Sequence, residues 1–242
     1  MDIARAVEVS CSSDGMNSIV DHAIDHHLFY MHRARQIMIR RLLPPADRIL
    51  DLGGANSPLY CMGYTHAFSH LVMVDLPPDE RHEYYRDVQV ESPSGSVLIH
   101  YGDMTELDAF ERESFDLVWS GQSIEHVPVE AARRMCAGAM RVLRPGGRFC
   151  LDTPNRTLTY IHTRDWHGGF IHPDHKYEYR APELRELVEQ AGFEVLSEVG
   201  ICEMPETVRT NNFHYSDFVL GNVLTDRVDE AYLLYLDCRK PG

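Results

Sequence analysis

Nothing in this 242-residue chain brings cysteines together at redox or metal spacing: Cys11, Cys61, Cys136, Cys150, Cys202 and Cys238 include no C-x-x-C pair. No apolar run approaches the roughly 18 residues a bilayer helix needs, and the N-terminus has no basic segment leading into an apolar stretch. These absences lead us to expect a cytoplasmic protein of a reducing compartment with no membrane partner. Cationic charge is scarce as well. The net charge is −14, a field that repels phosphate backbones and anionic lipid, so no nucleic acid partner is expected. The four arginines between Arg33 and Arg41 alternate at helical spacing with Ala34, Ile37, Met38 and Leu42, which reads as a solvated helix face. Internal repeats and low-complexity tracts are also missing.

What is present is a 44% hydrophobic composition, enough for one sizeable core, and an alternation of short apolar runs with helical patterns. Apolar positions from Asn17 to Leu43 recur at helical spacing until Pro44-Pro45 stops them. Strands are expected at Arg48–Leu52, Leu71–Asp75, Val97–Tyr101, Phe115–Ser120, Arg148–Asp152, Phe193–Gly200 and Ala231–Cys238. Helices are expected over Val129–Leu143, closed by Arg144-Pro145-Gly146-Gly147, and over Pro182–Ala191. Residues 153–180 and 202–229 break the alternation and read as insertions beyond the carboxyl ends of a doubly wound sheet, where ligand sites are built.

The residues that follow each apolar run are therefore the informative ones. The first run ends in Leu52-Gly53-Gly54-Ala55-Asn56-Ser57-Pro58, a glycine turn without the G-x-G-x-x-G spacing. Asp75 follows Gly54 by 21 residues, where a carboxylate can accept both ribose hydroxyls. Asp103 ends the third run, placed for an exocyclic adenine amine, with Leu76 and Met104 as apolar surface for the ring; Ser120, Gly121 and Gln122 end the fourth. Ser57 reads as an N-cap with Pro58 as first helical residue, and proline has no N–H to offer a pyrophosphate. An adenosine with a cationic 5′ side fits better. In S-adenosylmethionine the amino acid end would meet the backbone near Gly53, with Asp51 beside the ammonium.

Ile49-Leu-Asp-Leu-Gly-Gly54, Val74-Asp75, Gly102-Asp103-Met104, Phe115-Asp-Leu-Val118, Ser123-Ile-Glu-His-Val127 and Leu143-Arg-Pro-Gly-Gly147 together resemble the ordered motifs of class I S-adenosylmethionine (SAM)-dependent methyltransferases across about residues 46–200. The resemblance implies a Rossmann-like α/β fold with helices on both faces of a seven-stranded sheet, order 3-2-1-4-5-7-6, the seventh strand antiparallel. It further implies SAM as cofactor, a lid segment at 1–45 that folds over it, and a methyltransferase domain over 46–242 carrying both insertions. The family more often shows G-x-G-x-G in the loop. Here Ala55 and Asn56 are small enough for close backbone approach.

Methyl transfer is an in-line displacement that depends chiefly on positioning; a hydroxyl acceptor must also lose a proton, and the 14 histidines are the natural candidates for a base. His126 follows the fourth strand and Asp152 ends the fifth, a pairing that resembles the base pair of some sugar O-methyltransferases of the family. The segment Trp166-His-Gly-Gly-Phe-Ile-His-Pro-Asp-His175 should face the acceptor, through Trp166, His167, His172 and His175. His-Pro-x-His segments resemble those of relatives acting on sugars or glycan precursors. Tyr30 or His32 would close the site, and His214 in Asn211-Asn-Phe-His-Tyr215 would line its far wall or else a homodimer contact. His22, Asp25 and His26 read as a polar helix face. No metal is expected, because His172 and His175 straddle a proline rather than one helix face. The reading is thus a methyltransferase acting on a small-molecule hydroxyl, of a sugar or natural-product intermediate. Its alternatives are an N- or C-methyltransferase, a tRNA methyltransferase disfavoured by charge, an NAD or nucleotide enzyme disfavoured by Pro58, and a non-catalytic SAM-binding partner subunit.

Overall fold

The computed structural model describes residues 13–81, 86–88, 90–165 and 169–242, with side chains from residue 26 onward. Trp166 and His167 lie outside the described residues, as do the side chains of His22 and Asp25. The chain opens on α1 (Ser13–Leu42) and then alternates through β1 (Arg48–Leu52), β2 (His70–Asp75), β3 (Ser96–Tyr101), β4 (Phe115–Gly121), α2 (Val129–Val142) and β5 (Leu143–Pro154). It continues with α3 (Arg156–Thr163), α4 (Ala181–Gln190), β6 (Glu194–Glu203), α5 (Pro205–Thr210), α6 (Asp217–Leu220), β7 (Leu224–Thr225) and β8 (Ala231–Arg239).

One mixed sheet results, in the order β3-β2-β1-β4-β5-β8-β6-β7. The first five strands are mutually parallel, and β8 runs antiparallel between β5 and β6. This is the expected order with one addition: β7 pairs at Gly200↔Thr225 and Ile201↔Leu224 to make a two-residue eighth strand at the edge. Among the described residues no helix is long and apolar enough to cross a membrane.

Strand alternation divides the core in two. Leu50, Leu52, Val118, Phe149, Leu151, Leu234 and Leu236 face α2 and α4, whose buried residues include Met135, Cys136, Leu184 and Val188. Ile49, Leu117, Trp119, Cys150, Leu233 and Tyr235 face the other way, where Ala34, Met38 and Ile39 of α1 and Phe218 of α6 cover them. Because successive side chains on a strand point to opposite faces, Asp51 and Asp152 emerge toward α1 with Ile49 and Cys150.

The helix expected from Ser57 does not form. Met62 N–H reaches Pro58 O at 3.1 Å, a single turn, but Gly63 takes φ +101° and Tyr64 N–H folds back to Leu59 O at 3.3 Å, ending it. Turns rather than regular helices therefore carry the described residues between β1 and β2. The arginine stretch also corrects the sequence reading: Arg35 is buried rather than solvated.

Candidate functional site

The glycine turn is shaped by one buried carboxylate. Gly53 has φ +81°, a conformation natural to glycine, and its N–H donates to Val74 O at 2.7 Å, tying the turn to the end of β2. A Cβ on Gly54 would lie 2.3 Å from the Asp51 carboxyl carbon, so only glycine lets the turn pass over that group. Asp51 is 1% exposed and accepts the Leu59 N–H at 3.2 Å. Burial pushes its carboxyl up to about 8, with the Leu59 bond opposing. Among the described residues Asp51 forms no ion pair, and near pH 7 its carboxyl therefore keeps its proton inside the turn.

Asp75, at the end of β2, accepts the Ala55 N–H at 3.0 Å and its neighbour Leu76's N–H at 2.9 Å. Arg81 reaches Asp75 at 3.4 Å and also pairs with Asp87, which accepts the Tyr101 hydroxyl at 2.6 Å. Burial raises the Asp75 carboxyl and Arg81 lowers it, the first being larger. Asp103 is exposed and accepts the Thr105 N–H at 2.8 Å. Leu76 is exposed at the end of β2, and the Met104 sulfur would be 4.0 Å from a Cβ on Gly53. At the end of β4, Ser120 and Ser123 share a 2.7 Å hydroxyl contact, Gly121 lies against the Trp119 indole, and Gln122 takes φ +55°.

His126 and Asp152 do not form the expected pair. Both oxygens of Asp152 are taken by Arg35, at 2.5 and 3.0 Å, and one also accepts the Gln122 amide at 2.9 Å. The reason is strand parity, which turns Asp152 toward α1. His126 instead meets His175 edge-on at 4.8 Å between centroids and His172 at 6.0 Å, the last two being 5.4 Å apart. Burial and the neighbouring imidazoles push His126 down to about 4, so it is neutral near pH 7.

The histidine–carboxylate pair that does form is His175–Glu178. His175 Nδ1 lies 2.8 Å from Glu178, which also accepts from Thr159 at 2.5 Å, Ile171 N–H at 2.8 Å and Arg156 at 3.4 Å. Those donors hold the Glu178 carboxyl below its ordinary value despite burial. Glu125, under the same cluster, is fully buried; one oxygen accepts the Thr153 hydroxyl at 2.9 Å and the other has no partner. Burial moves Glu125 up to about 7.

Arg35, Arg81, Glu125 and Glu178 were missed by sequence reasoning. Glu125 and Glu178 stand beside residues it singled out, and Arg35 was hidden by the helical alternation around it. The remaining expected site residues are dispersed. Tyr30 packs on α1 against the apolar layer with its ring 5.8 Å from Phe29. His214 is engaged by the Thr210 hydroxyl at 2.8 Å, at the end of α5. Both insertions and β8 instead share an aromatic cluster, in which His162 of α3 bonds Tyr232 at 2.6 Å and Tyr215 at 2.9 Å and stacks on Phe213 at 3.7 Å.

A parallel sheet in this order, closed by an antiparallel late strand and bearing a glycine turn and carboxylates at the ends of β1 and β2, defines a class I SAM-dependent methyltransferase domain. The chain belongs to the methyltransferase-domain family, which it matches over residues 24–198. It is 41% identical over 105 residues to a protein of Mycolicibacterium smegmatis described as a probable S-adenosylmethionine-dependent methyltransferase, covering 43% of this chain and 38% of that one. It is 32% identical over 113 residues to the ubiquinone biosynthesis O-methyltransferase of Xanthomonas oryzae pv. oryzae, covering 46% and 44%. With the sarcosine/dimethylglycine N-methyltransferase of Aphanothece halophytica the identity is 30% over 116 residues, covering 47% and 40%. The chain thus spans about two fifths of the length of these relatives. An S-adenosylmethionine-dependent methyltransferase structure from Mesorhizobium loti superposes with a TM-score of 0.58 at 17% identity, over 85% of this chain and 97% of that one, and shares the fold.

Proposed function

We propose that the protein transfers the SAM methyl group to a hydroxyl of a small molecule, a sugar or natural-product intermediate. The observation that carries the cofactor half is the buried Asp51 carboxyl beneath Gly54, which forms no ion pair among the described residues and would ionise against the ligand's ammonium. Gly53, Gly54 and Ala55 would cradle the amino acid end. Asp75 would take the ribose hydroxyls, with Arg81 shifting toward Asp87, and Asp103, Leu76 and Met104 would border the adenine. Ser120, Gly121 and Gln122 would close the far side of the turn, and the 1–45 segment, anchored by Arg35, would act as the lid over a domain formed by 46–242.

When bound, SAM supplies an electrophilic methyl carbon on a cationic sulfur. The chain's own part is to hold the acceptor in line, about 3 to 3.5 Å from that carbon, and to ease the loss of the hydroxyl proton. The imidazole cluster of His126, His172 and His175 supports a hydroxyl acceptor, because it concentrates ring nitrogens, those of His126 neutral, beside the end of β4. The net charge of −14 supports a small acceptor over nucleic acid. Free thiols at Cys61, Cys136, Cys150, Cys202 and Cys238 support a reducing, cytoplasmic setting.

Calorimetry tests the cofactor half: SAM should bind the wild type, fail to bind Asp75→Ala, and not be replaced by NAD. The acceptor half is read with methyl-13C SAM and a panel of hydroxylated and amine acceptors; a methyl ether carbon supports the proposal, and labelling of amines alone would overturn it.

A further inference from the structure

Beside the proposed acceptor position, three donors from two distant segments converge. The ligand atoms of Glu125, His126 and His175 all lie within 4.8 Å of one another. Three features set this group apart from an ordinary polar cluster. One oxygen of Glu125, in a fully buried side chain, has no hydrogen-bond partner. An unpaired buried carboxylate oxygen is costly, and a cation is the partner chemistry that would offset it. His175 gives its Nδ1 to Glu178 at 2.8 Å, which fixes the tautomer and leaves Nε2 as the lone-pair nitrogen. Glu178 is itself locked by Thr159, Ile171 and Arg156, so the orientation of that ring is imposed from behind.

We propose that Glu125, His126 and His175 bind a divalent transition-metal ion, with Glu178 as the outer carboxylate that orients His175. Two imidazoles and one carboxylate suit zinc, manganese, iron(II) or cobalt better than magnesium or calcium, which favour all-oxygen shells. Bonds of about 2.0–2.2 Å put tetrahedral ligand atoms roughly 3.3–3.6 Å apart, so side-chain movements of about an ångström complete the site. Backbone anchors hold the two segments together for this. The Glu125 carbonyl accepts Lys176 N–H at 2.7 Å and Tyr177 N–H at 3.2 Å, pinning the His175 loop to the end of β4. His172, whose Nδ1 accepts the Asp174 N–H at 3.2 Å, borders the cluster from the outside.

Three protein donors leave positions open on the ion for water or an acceptor oxygen. A hydroxyl bound there gives up its proton to water more readily, which is the assistance an O-methyl acceptor needs. That catalytic consequence rests on the proposed function; the binding of the ion does not.

Zinc chloride titrated into the chelator-stripped, untagged full chain, followed by calorimetry, tests the site without SAM or acceptor. The expected result is one equivalent bound, lost in Glu125→Gln and in His175→Gln, weakened 10- to 100-fold in Glu178→Gln, and unchanged in His70→Gln. Cobalt(II) bound to the wild type should give d–d absorption that zinc displaces, a readout independent of whether any variant folds. Absence of a stoichiometric zinc site in the wild type, or equal affinity in folded Glu125→Gln and His175→Gln, overturns the proposal. SAM calorimetry on the same samples separates the two readings: zinc binding without SAM binding sinks the proposed function alone, and SAM binding without zinc binding sinks the metal site alone.

Discussion

The guanidinium of Arg35 and the carboxylate of Asp152, 117 residues apart, meet at 2.5 and 3.0 Å, with Arg35 only 6% exposed and Asp152 fully buried. This pair ties α1 to the end of β5 through the α1-facing core. It also removes Asp152 from service as the orienter of a histidine base, since its lone pairs are committed to Arg35 and Gln122.

Breaking that pair should be expensive. Arg35→Ala leaves a buried carboxylate unpaired and is expected to lower the free energy of urea unfolding by about 3–5 kcal/mol. Arg35→Met combined with Asp152→Leu should recover most of the loss, because no lone charge remains. Additive losses in the double variant would show that the two residues act independently.

Gly54→Ala brings a methyl group to 2.3 Å from the Asp51 carboxyl. An overpacked substitution of this kind is expected to cost about 1–3 kcal/mol in urea unfolding. Adding Asp51→Ala removes the clashing atoms and should restore stability to the level of Asp51→Ala alone, with SAM affinity absent in both.

Asp51 also sets a pH dependence. Its carboxyl is raised to about 8 in the fold against 3.8 for the ordinary side chain. The folded state therefore holds the proton more tightly than the unfolded one, so the contribution to stability is full below pH 4 and is lost as pH rises through 8. Chemical unfolding of the ligand-free protein should show this decline, and Asp51→Asn should flatten it. SAM binding near pH 7 should release a proton, read as a dependence of calorimetric heat on buffer ionisation enthalpy.

His162 has the opposite sign. Burial in the aromatic cluster pushes it down to about 4 from 6.5, so the unfolded chain takes up a proton first as pH falls. Stability is complete above pH 6.5 and is lost progressively down to pH 4, by up to roughly 3 kcal/mol for a shift of that size. Urea midpoints measured between pH 4 and 7 should fall in the wild type and stay flatter in His162→Gln, whose amide cannot be protonated in that range.

Much of the frame was legible because its signals are local. Apolar runs placed β1 at its observed bounds and placed β8 and α2 to within one residue, and the residues after β1 and β2 landed at neighbouring strand ends because parallel strands leave their carboxyl ends together. The Ser57 helix failed because a proline start signal says nothing of Gly63, which turns the chain after one turn.

By itself, then, the sequence determined the alternating elements, the glycine turn and the set of carboxylates that follow the strands, since each depends on residues close along the chain. Tertiary structure alone decided which carboxylate meets which cation or imidazole. Asp152 went to Arg35, and His175 to Glu178 beside Glu125 and His126, because such pairings depend on strand parity and on how the insertion folds back over β4. Neither is written in the spacing of any one segment.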